Sequence, residues 1–355
     1  MEKIGILTII DNDNYGNRLQ NYAVQTIINK LNMDCETILN DSYSNCKNFY
    51  LLRMIKYTIF KRTYSTNKER EINFGLFNEH IKFSEKKVNP FSNNKEYKYV
   101  IAGSDQIWNP YIGRLREVDL LNFLEPKKRI SFSASFGVDS IPTSKIKYTS
   151  KMLKTFKAIS VREYSGRKIV EKLTDRNDVE VLIDPTMLLT DAEWNKISKK
   201  PKMLKSKKYI LCYFLGALSD NRKKEIERVS IENNCEIINI LDKTSIYYEC
   251  GPSEFLWLEK NAFLICTDSF HSSVFAIIYN RPFIIFDREG NNSNMGSRLD
   301  TLINKFKLKN RRYNNINISK ENLKHDYTDA YKVLKKEKDR SINFLKKSLD
   351  LEDSE

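Results

Sequence analysis

The stretch from Ala262 to Asp287 places the strongest constraint on the fold of this 355-residue chain. It opens with a short apolar run, and TDS at 267–269 then supplies three residue types that favour the start of a helix. Apolar residues return at helical spacing until NRP at 280–282 breaks the pattern, and the apolar run FIIF follows. This order predicts a strand, a helix and a second strand. Such units build parallel sheets and indicate an α/β protein.

A histidine lies at the predicted start of the helix in this unit. His271 is one of three histidines in the chain, and it alone lies at a predicted strand-to-helix junction. Parallel sheets bind ligands beyond the carboxyl ends of their strands, where the free N–H groups of a helix start attract an anion. We therefore predict that His271 is functional, and that a bound anion raises its pKa and makes it an acid. The alternative is a histidine satisfied within the core.

Two predicted strand ends nearer the N-terminus also carry polar side chains. The strand Lys3 to Ile10 leads through the loop DNDNYGN into a helix, although the loop has neither the dinucleotide nor the P-loop glycine pattern. The strand Tyr97 to Ala102 ends in the turn GSDQIWNP. Both regions predict parts of a site; the alternatives are an ordinary capped turn for the first and a tryptophan packing plug for the second. The candidate residues are Asn14, Gly16, Asn17, Arg18, Ser104, Asp105, Gln106 and Trp108.

Two arginines lie at predicted element boundaries. Arg162 ends the strand AISVRE, where its planar guanidinium could hold a carboxylate or a phosphate with two hydrogen bonds. The alternative for Arg162 is an ion pair with Glu163 or another neighbour. Arg298 follows a loop rich in glycine and asparagine and lies at the start of a further predicted helix.

The chain is longer than one hydrophobic core usually requires, and strand and helix patterns alternate through most of it. We predict two Rossmann-like domains, at residues 1–180 and 181–325, followed by an amphipathic closing helix and tail at 326–355. Residues 47–94 have weak helical periodicity and predict one or two helices that cover the first sheet.

The net charge of +14 bears on partners and location. Nucleic acid is not predicted as a partner, because the lysines are spread along the chain and no nucleic-acid-binding motif accompanies them. Apolar runs fall short of the roughly 18 residues that span a bilayer, and no cleavable leader pattern opens the sequence, which predicts a cytoplasmic protein. The basic surface and the lysine-rich closing helix predict peripheral association with the inner face of the membrane; the alternative is an ordinary solvated surface.

Six motifs, taken in order, resemble the polysaccharide pyruvyl transferase family. The resemblance covers most of the chain from residue 3 to about 310, and its motifs are NYGNRLQNYAVQ, AGSDQIWNP, SASFG, SVRE, IDPTMLL and TDSFHSSVFAIIYNRPF. The resemblance implies a glycosyltransferase-B-like pair of Rossmann-type domains that face a cleft. It implies an enzyme that moves the enolpyruvyl group of phosphoenolpyruvate onto a sugar of a surface polysaccharide or its precursor, as a cyclic pyruvate ketal. No metal and no organic cofactor are implied, phosphoenolpyruvate being a co-substrate.

The resemblance also assigns roles to the candidate residues. His271 becomes the donor-binding residue and general acid of the second domain, and Arg162 becomes the residue that grips phosphoenolpyruvate. The first domain is then the acceptor side, with its candidate residues lining the cleft and Asp105 as the base. Further donor contacts are expected from Ser269, Ser272 and Arg298.

The chain departs from the family pattern beside the histidine. Several members carry Arg-Leu-His where this chain has SFH at 269–271, so one basic contact to the donor is missing. Arg298, Arg18 or Arg281 could replace that contact, or the donor could differ.

Two other functions therefore stay open. A glycosyltransferase of the same architecture would hold the diphosphate of a sugar nucleotide at the same helix start. A non-catalytic homologue that binds a glycan or a lipid is expected if the missing arginine abolishes donor binding. For the pyruvyl transferase, the acceptor sugar could be carried on a lipid diphosphate or on a nucleotide.

Overall fold

The computed structural model describes residues 3–11, 13–40, 61–88, 96–289, 296–313 and 317–351. These residues form parallel sheets with flanking helices, so the predicted α/β class is confirmed. The chain divides into two compact units. The first unit holds the described residues of Met1–Lys56, Asn78–Leu188 and Lys335–Glu355, and the second holds those of Tyr57–Phe77 and Leu189–Leu334.

The secondary structure alternates along the chain. The strands are β1 (Lys3–Leu7), β2 (Cys35–Asn40), β3 (Phe83–Val88), β4 (Tyr97–Ala102), β5 (Arg129–Ala134), β6 (Ala158–Val161), β7 (Glu180–Val181), β8 (Tyr209–Tyr213), β9 (Glu236–Asn239), β10 (Leu264–Thr267) and β11 (Phe283–Ile285). The helices are α1 (Tyr15–Lys30), α2 (Lys61–Asn78), α3 (Thr143–Leu153), α4 (Tyr164–Thr174), α5 (Asp191–Asn195), α6 (Asp220–Asn233), α7 (Pro252–Asn261), α8 (Phe270–Ile278), α9 (Ser297–Lys305), α10 (Lys320–Leu323) and α11 (Thr328–Ser348).

The first unit is built on a seven-stranded parallel sheet in the order β3-β2-β1-β4-β5-β6-β7. The strand order reverses beside β1, so the topological switch point lies between β1 and β4, where Ile6 pairs with Ile101. All six residues of β5 are buried, as expected for a sheet covered on both faces. The loops that follow β1 and β4 therefore leave the same edge of the sheet at the position where α/β sheets bind ligands.

The second unit is built on a four-stranded parallel sheet in the order β11-β10-β8-β9. Its switch point lies between β8 and β10, and every residue of these two strands is buried. The strand–helix–strand unit predicted from Ala262 to Asp287 is confirmed as β10, α8 and β11. Helix α8 therefore starts beside this switch point.

The structure corrects one sequence-based interpretation. Residues 83–88, predicted within a helical region, form strand β3 and pair with β2 at the edge of the first sheet. The short charged sequence FSEKKV hides this strand, because edge strands often carry charges that discourage further pairing. The helical prediction is confirmed for α2, whereas residues 47–60 and 89–94 lie outside the described part of the chain. The first unit extends to Leu188, and the predicted domain boundary at residues 180 and 181 stays a prediction.

The closing helix α11 follows the prediction in position but packs on protein. Its apolar residues Leu334, Phe344 and Leu345 are buried, as is Leu349 directly after it, and the Phe344 ring stacks on that of Phe132 at 6.2 Å. The apolar face of α11 is therefore occupied, and a membrane surface would meet its lysines. Among the described residues, no helix is long and apolar enough to cross a bilayer.

Candidate functional site

The switch point of the first unit holds a buried cluster of opposite charges. The Arg162 guanidinium donates from Nη1 to Asp184 Oδ2 at 2.6 Å and from Nη2 to Asp105 Oδ1 at 2.9 Å. The Arg162 side chain is 1% exposed. Burial by itself lowers the pKa of Arg162, and the carboxylates of Asp105 and Asp184 more than offset that effect. The guanidinium is therefore held, fully charged, between two carboxylates.

Further hydrogen bonds fix the carboxylate of Asp184 and the backbone of Asp105. Ser104 donates its hydroxyl to Asp184 Oδ2 at 3.0 Å, and Thr186 donates its backbone N–H and its hydroxyl to Asp184 Oδ1 at 3.0 and 2.7 Å. Asp105 has a left-handed backbone (φ 67°) that an aspartate tolerates better than most residues do, and its carbonyl accepts the N–H of Ser135. The turn after β4 is thus anchored in the interior.

The ion pair predicted as the alternative for Arg162 exists, but with other partners. Glu163, the neighbour in sequence, instead accepts hydrogen bonds at Oε1 from Ser135 Oγ, Phe136 N and Gly137 N at 3.0, 2.8 and 3.1 Å. A guanidinium already compensated by two carboxylates attracts an anion weakly. Donor binding by Arg162 would require these ion pairs to rearrange, and it stays a prediction.

The polar residues at the start of α1 point largely inward. Asn14 caps the helix, and its side chain accepts the N–H of Asn17. Arg18 is buried, with Nη2 donating to Ile9 O at 2.7 Å and Nη1 to Asn78 Oδ1 at 3.4 Å. Gly16 and Asn17 are buried too. Most of this motif therefore builds the loop after β1 rather than facing solvent.

The predicted site residues in the turn after β4 also point into the protein. Trp108 is fully buried, donates Nε1–H to Asp119 O at 3.0 Å and packs against Phe136 at 5.3 Å. Gln106 accepts a hydrogen bond from the Asn109 amide at 2.6 Å. Trp108 is a core residue, which is the packing-plug alternative, and it is unavailable for stacking on a sugar.

One acidic residue at this switch point was missed by the sequence analysis. Asp11 follows β1 and is half-buried. Its Oδ1 accepts the N–H of Asn14 at 3.0 Å, and its Oδ2 accepts an amide hydrogen of Asn17 at 2.5 Å. Burial raises the pKa of Asp11, against the opposing effects of Arg18 and of these two hydrogen bonds. Its place directly beyond a predicted strand was the signal that could have identified it.

The second switch point brings His271 to the start of a helix. Ser269 is the N-cap of α8, and His271 lies in the first turn, buried and with its ring edge-on to Phe270 at 5.4 Å. The Ser269 hydroxyl makes no capping hydrogen bond to the helix, although its backbone N–H donates to Thr267 Oγ1 at 2.9 Å. The first N–H groups of α8 thus have no side-chain cap from Ser269, which is a suitable arrangement for an anion.

An internal carboxylate holds the loop that follows β8. Asp268 Oδ1 accepts the N–H of Leu215 at 2.7 Å, and Oδ2 accepts the N–H of Gly216 at 2.8 Å. Oδ2 also forms an ion pair with Arg288 Nε at 3.2 Å. Asp268 precedes the N-cap of α8. It therefore ties β8, β10 and the segment after β11 together at the base of the helix.

A second acid lies behind the first turn of α8. Ser272 donates its hydroxyl to Glu259 Oε1 of α7 at 2.5 Å, and both side chains are fully buried. Burial raises the pKa of Glu259 well above its usual range, which favours the neutral form of the carboxyl group. The hydroxyl of Ser272, predicted to contact the donor, is committed to this internal bond. Arg298 is buried at the second position of α9.

A sequence profile decides the family. The profile described as Polysaccharide pyruvyl transferase matches residues 14–290. The chain belongs to the polysaccharide pyruvyl transferase family. Membership supports a transferase role in pyruvyl transfer on polysaccharide. No curated protein sequence matches this chain significantly.

Within this pyruvyl transferase family member, the predicted residues fall into two groups. Ser104 and Arg162 contact Asp184 in the first unit, where Arg162 also contacts Asp105. In the second unit, His271 and Ser272 lie in the first turn of α8, directly after its N-cap Ser269. The profile match covers both groups and begins just after Asp11. In the part of the chain that the structure describes, no three His, Cys, Asp or Glu side chains converge as metal ligands.

Proposed function

We propose that this family member transfers the enolpyruvyl group of phosphoenolpyruvate to a sugar of a surface polysaccharide or its precursor, forming a cyclic pyruvate ketal. The observation that carries the proposal is the position of His271 in the first turn of α8, at the carboxyl end of β10. The proposal includes the glycosyltransferase-B-like domain arrangement that the family resemblance implies, and no metal or organic cofactor.

The chemistry suits a histidine at this place. Protonation of the methylene carbon of an enol phosphate generates an oxocarbenium-like centre, so an acid must lie beside that carbon. A donor with about three negative charges attracts the positive charge of an imidazolium beside it. The first N–H groups of α8 provide electrostatic support for the phosphate or the carboxylate.

Two arginines are proposed to share the work of holding the donor. Arg298 lies in the same unit as His271 and supplies a positive charge at a helix start. Arg162 can contribute if the ion pairs with Asp105 and Asp184 open when the donor binds. We propose that the acceptor sugar is carried on a lipid diphosphate or on a nucleotide. We also propose that the reaction takes place in the cytoplasm and that the protein associates peripherally with the membrane.

A pocket in the second unit favours one other candidate function. A cavity of about 500 Å³ opens at the carboxyl ends of β8 and β9, with mainly apolar walls. Its lining includes Phe214, Leu218, Ile226, Ile237 and Asn239. Apolar walls with a few polar groups suit a flat ring such as a nucleobase. This pocket supports a glycosyltransferase that uses a sugar nucleotide as the alternative.

The test combines both donors. The protein is incubated with phosphoenolpyruvate or with sugar nucleotides, together with a panel of hexose glycosides and nucleotide hexoses, and phosphate release, nucleotide release and ketal mass are measured. We expect phosphate release with a ketal product, and a loss of roughly 100-fold or more in turnover for His271→Asn. His80→Asn, at an exposed histidine of the first unit, is the control. Nucleotide release without a ketal product identifies a glycosyltransferase. The absence of both activities identifies a binding protein.

A further inference from the structure

The structure changes the assignment of the general base, the residue that takes the proton of the acceptor hydroxyl. Asp105 was predicted for this role, yet its Oδ1 is bound to Arg162 at 2.9 Å and its side chain is 5% exposed. An ion pair of this kind stabilises the charged carboxylate and makes it a weaker proton acceptor. We propose that Asp11 is the general base for the acceptor hydroxyl. This inference rests on the proposed function.

The position of Asp11 suits an acceptor-binding group. It follows β1, one of the two strands that flank the switch point of the first sheet, where ligands of α/β sheets bind. Unlike Asp105, it is half-buried rather than enclosed. The Asn14 N–H and the Asn17 amide each occupy one oxygen and fix the orientation of the carboxylate. Since each oxygen can accept a further hydrogen bond, the carboxylate retains places for sugar hydroxyls.

The surroundings of Asp11 make it a better base than an ordinary aspartate. Among the described residues, no side chain forms a direct ion pair with it. The charges that act on it are Arg18 of α1, which lowers its pKa, and Asp105 of the turn after β4, which raises it. Burial is the largest influence and leaves the pKa raised. A base whose conjugate acid has a raised pKa accepts a proton more readily in the transition state.

The proton balance of the reaction assigns Asp11 a defined step. The general acid protonates the methylene carbon, the first hydroxyl oxygen bonds to the central carbon, and the hydroxyl proton passes to Asp11. A second hydroxyl oxygen then bonds to the same carbon while the carbon–oxygen bond to phosphate breaks. The proton of the second hydroxyl restores the general acid, Asp11 releases its proton to solvent, and the departing phosphate takes up one proton from solvent. One enol phosphate and two hydroxyls thus give one ketal and one phosphate.

The first experiment compares two aspartates of one loop. Asp11→Asn keeps the size and the accepting oxygen of the side chain, whereas Asp13→Asn alters an exposed neighbour that serves as the matched control. With phosphoenolpyruvate and the hexose panel, we expect Asp11→Asn to lower kcat by about 100-fold or more, and Asp13→Asn to stay within about twofold of the unaltered protein. Thermal unfolding verifies that both variants are folded.

The second experiment separates a base from a structural residue. In the unaltered protein, kcat/KM should fall on the acid side as Asp11 becomes protonated, and this limb should be missing in Asp11→Asn. Asp11→Ala, which opens space at a half-buried site, should regain turnover when formate is added, because formate can replace the lost carboxylate.

The outcomes distinguish the two proposals. Turnover of Asp11→Asn equal to that of the unaltered protein, or a low activity of Asp11→Ala that formate does not raise, overturns the role of Asp11 and leaves the proposed function intact. No phosphate release by the unaltered protein with any member of the panel overturns the proposed function and this inference together.

Discussion

Replacing Arg162 with lysine separates two roles for this arginine. The guanidinium reaches Asp184 through Nη1 and Asp105 through Nη2, and both carboxylates are buried. A lysine has one compact ammonium group and can keep at most one of these two contacts. Breaking a buried ion pair costs about 3–5 kcal/mol, because a buried charge loses its partner. Because Ser104 and Thr186 still support Asp184, we expect a loss near the lower end, about 3 kcal/mol.

Hydrogen exchange is the appropriate assay, because a chain with two units need not unfold in one step. A loss of about 3 kcal/mol should speed exchange of the most protected amides in β4, β5 and β6 by roughly 100-fold or more. Arg167→Lys is the control, since the Arg167–Glu171 pair on α4 is partly exposed and such pairs contribute roughly 0.3–0.5 kcal/mol.

Calorimetric titration with phosphoenolpyruvate completes this test of Arg162. Unchanged exchange in Arg162→Lys, together with much weaker donor binding, would refute the structural role and restore the sequence-based one. Faster exchange with unchanged donor affinity would show that the guanidinium holds the fold and that the donor is bound elsewhere.

Three other predictions follow from particular contacts. Because the buried Glu259 carboxyl has a raised pKa, the native state keeps a proton that the unfolded state loses above the usual glutamate pKa. The free energy of unfolding should therefore fall as pH rises, by at most about 1.4 kcal/mol per pH unit. Glu259→Gln should remove this slope in urea titrations. Trp108→Ala should cost about 3–5 kcal/mol by the same exchange assay, with wild-type sugar binding, because the ring fills a core position. In sedimentation with anionic vesicles at low salt, the protein should be found in the vesicle pellet. The double variant Lys335→Glu, Lys336→Glu should bind the vesicles more weakly, by about 1 kcal/mol per residue. Recovery of the unaltered protein in the supernatant would contradict membrane recruitment.

The sequence by itself determined the local elements of the second switch point. The β10–α8–β11 unit could be predicted because burial periodicity and helix-start residues are encoded by neighbours in the chain. The same local signals located His271 in the first turn of α8. They failed at β3, because a short charged edge strand carries no apolar alternation.

Only the tertiary structure decided what the polar residues do. Arg162 meets Asp184 and Asp105, which are 22 and 57 residues away, because the strand order of the first sheet brings three loops to one edge. The residues next to Arg162 in the sequence do not indicate partners so distant. The raised pKa of Glu259 likewise follows from its burial against α8. Side-chain exposure and charge compensation depend on packing between separate segments, which residue types and spacing leave undetermined.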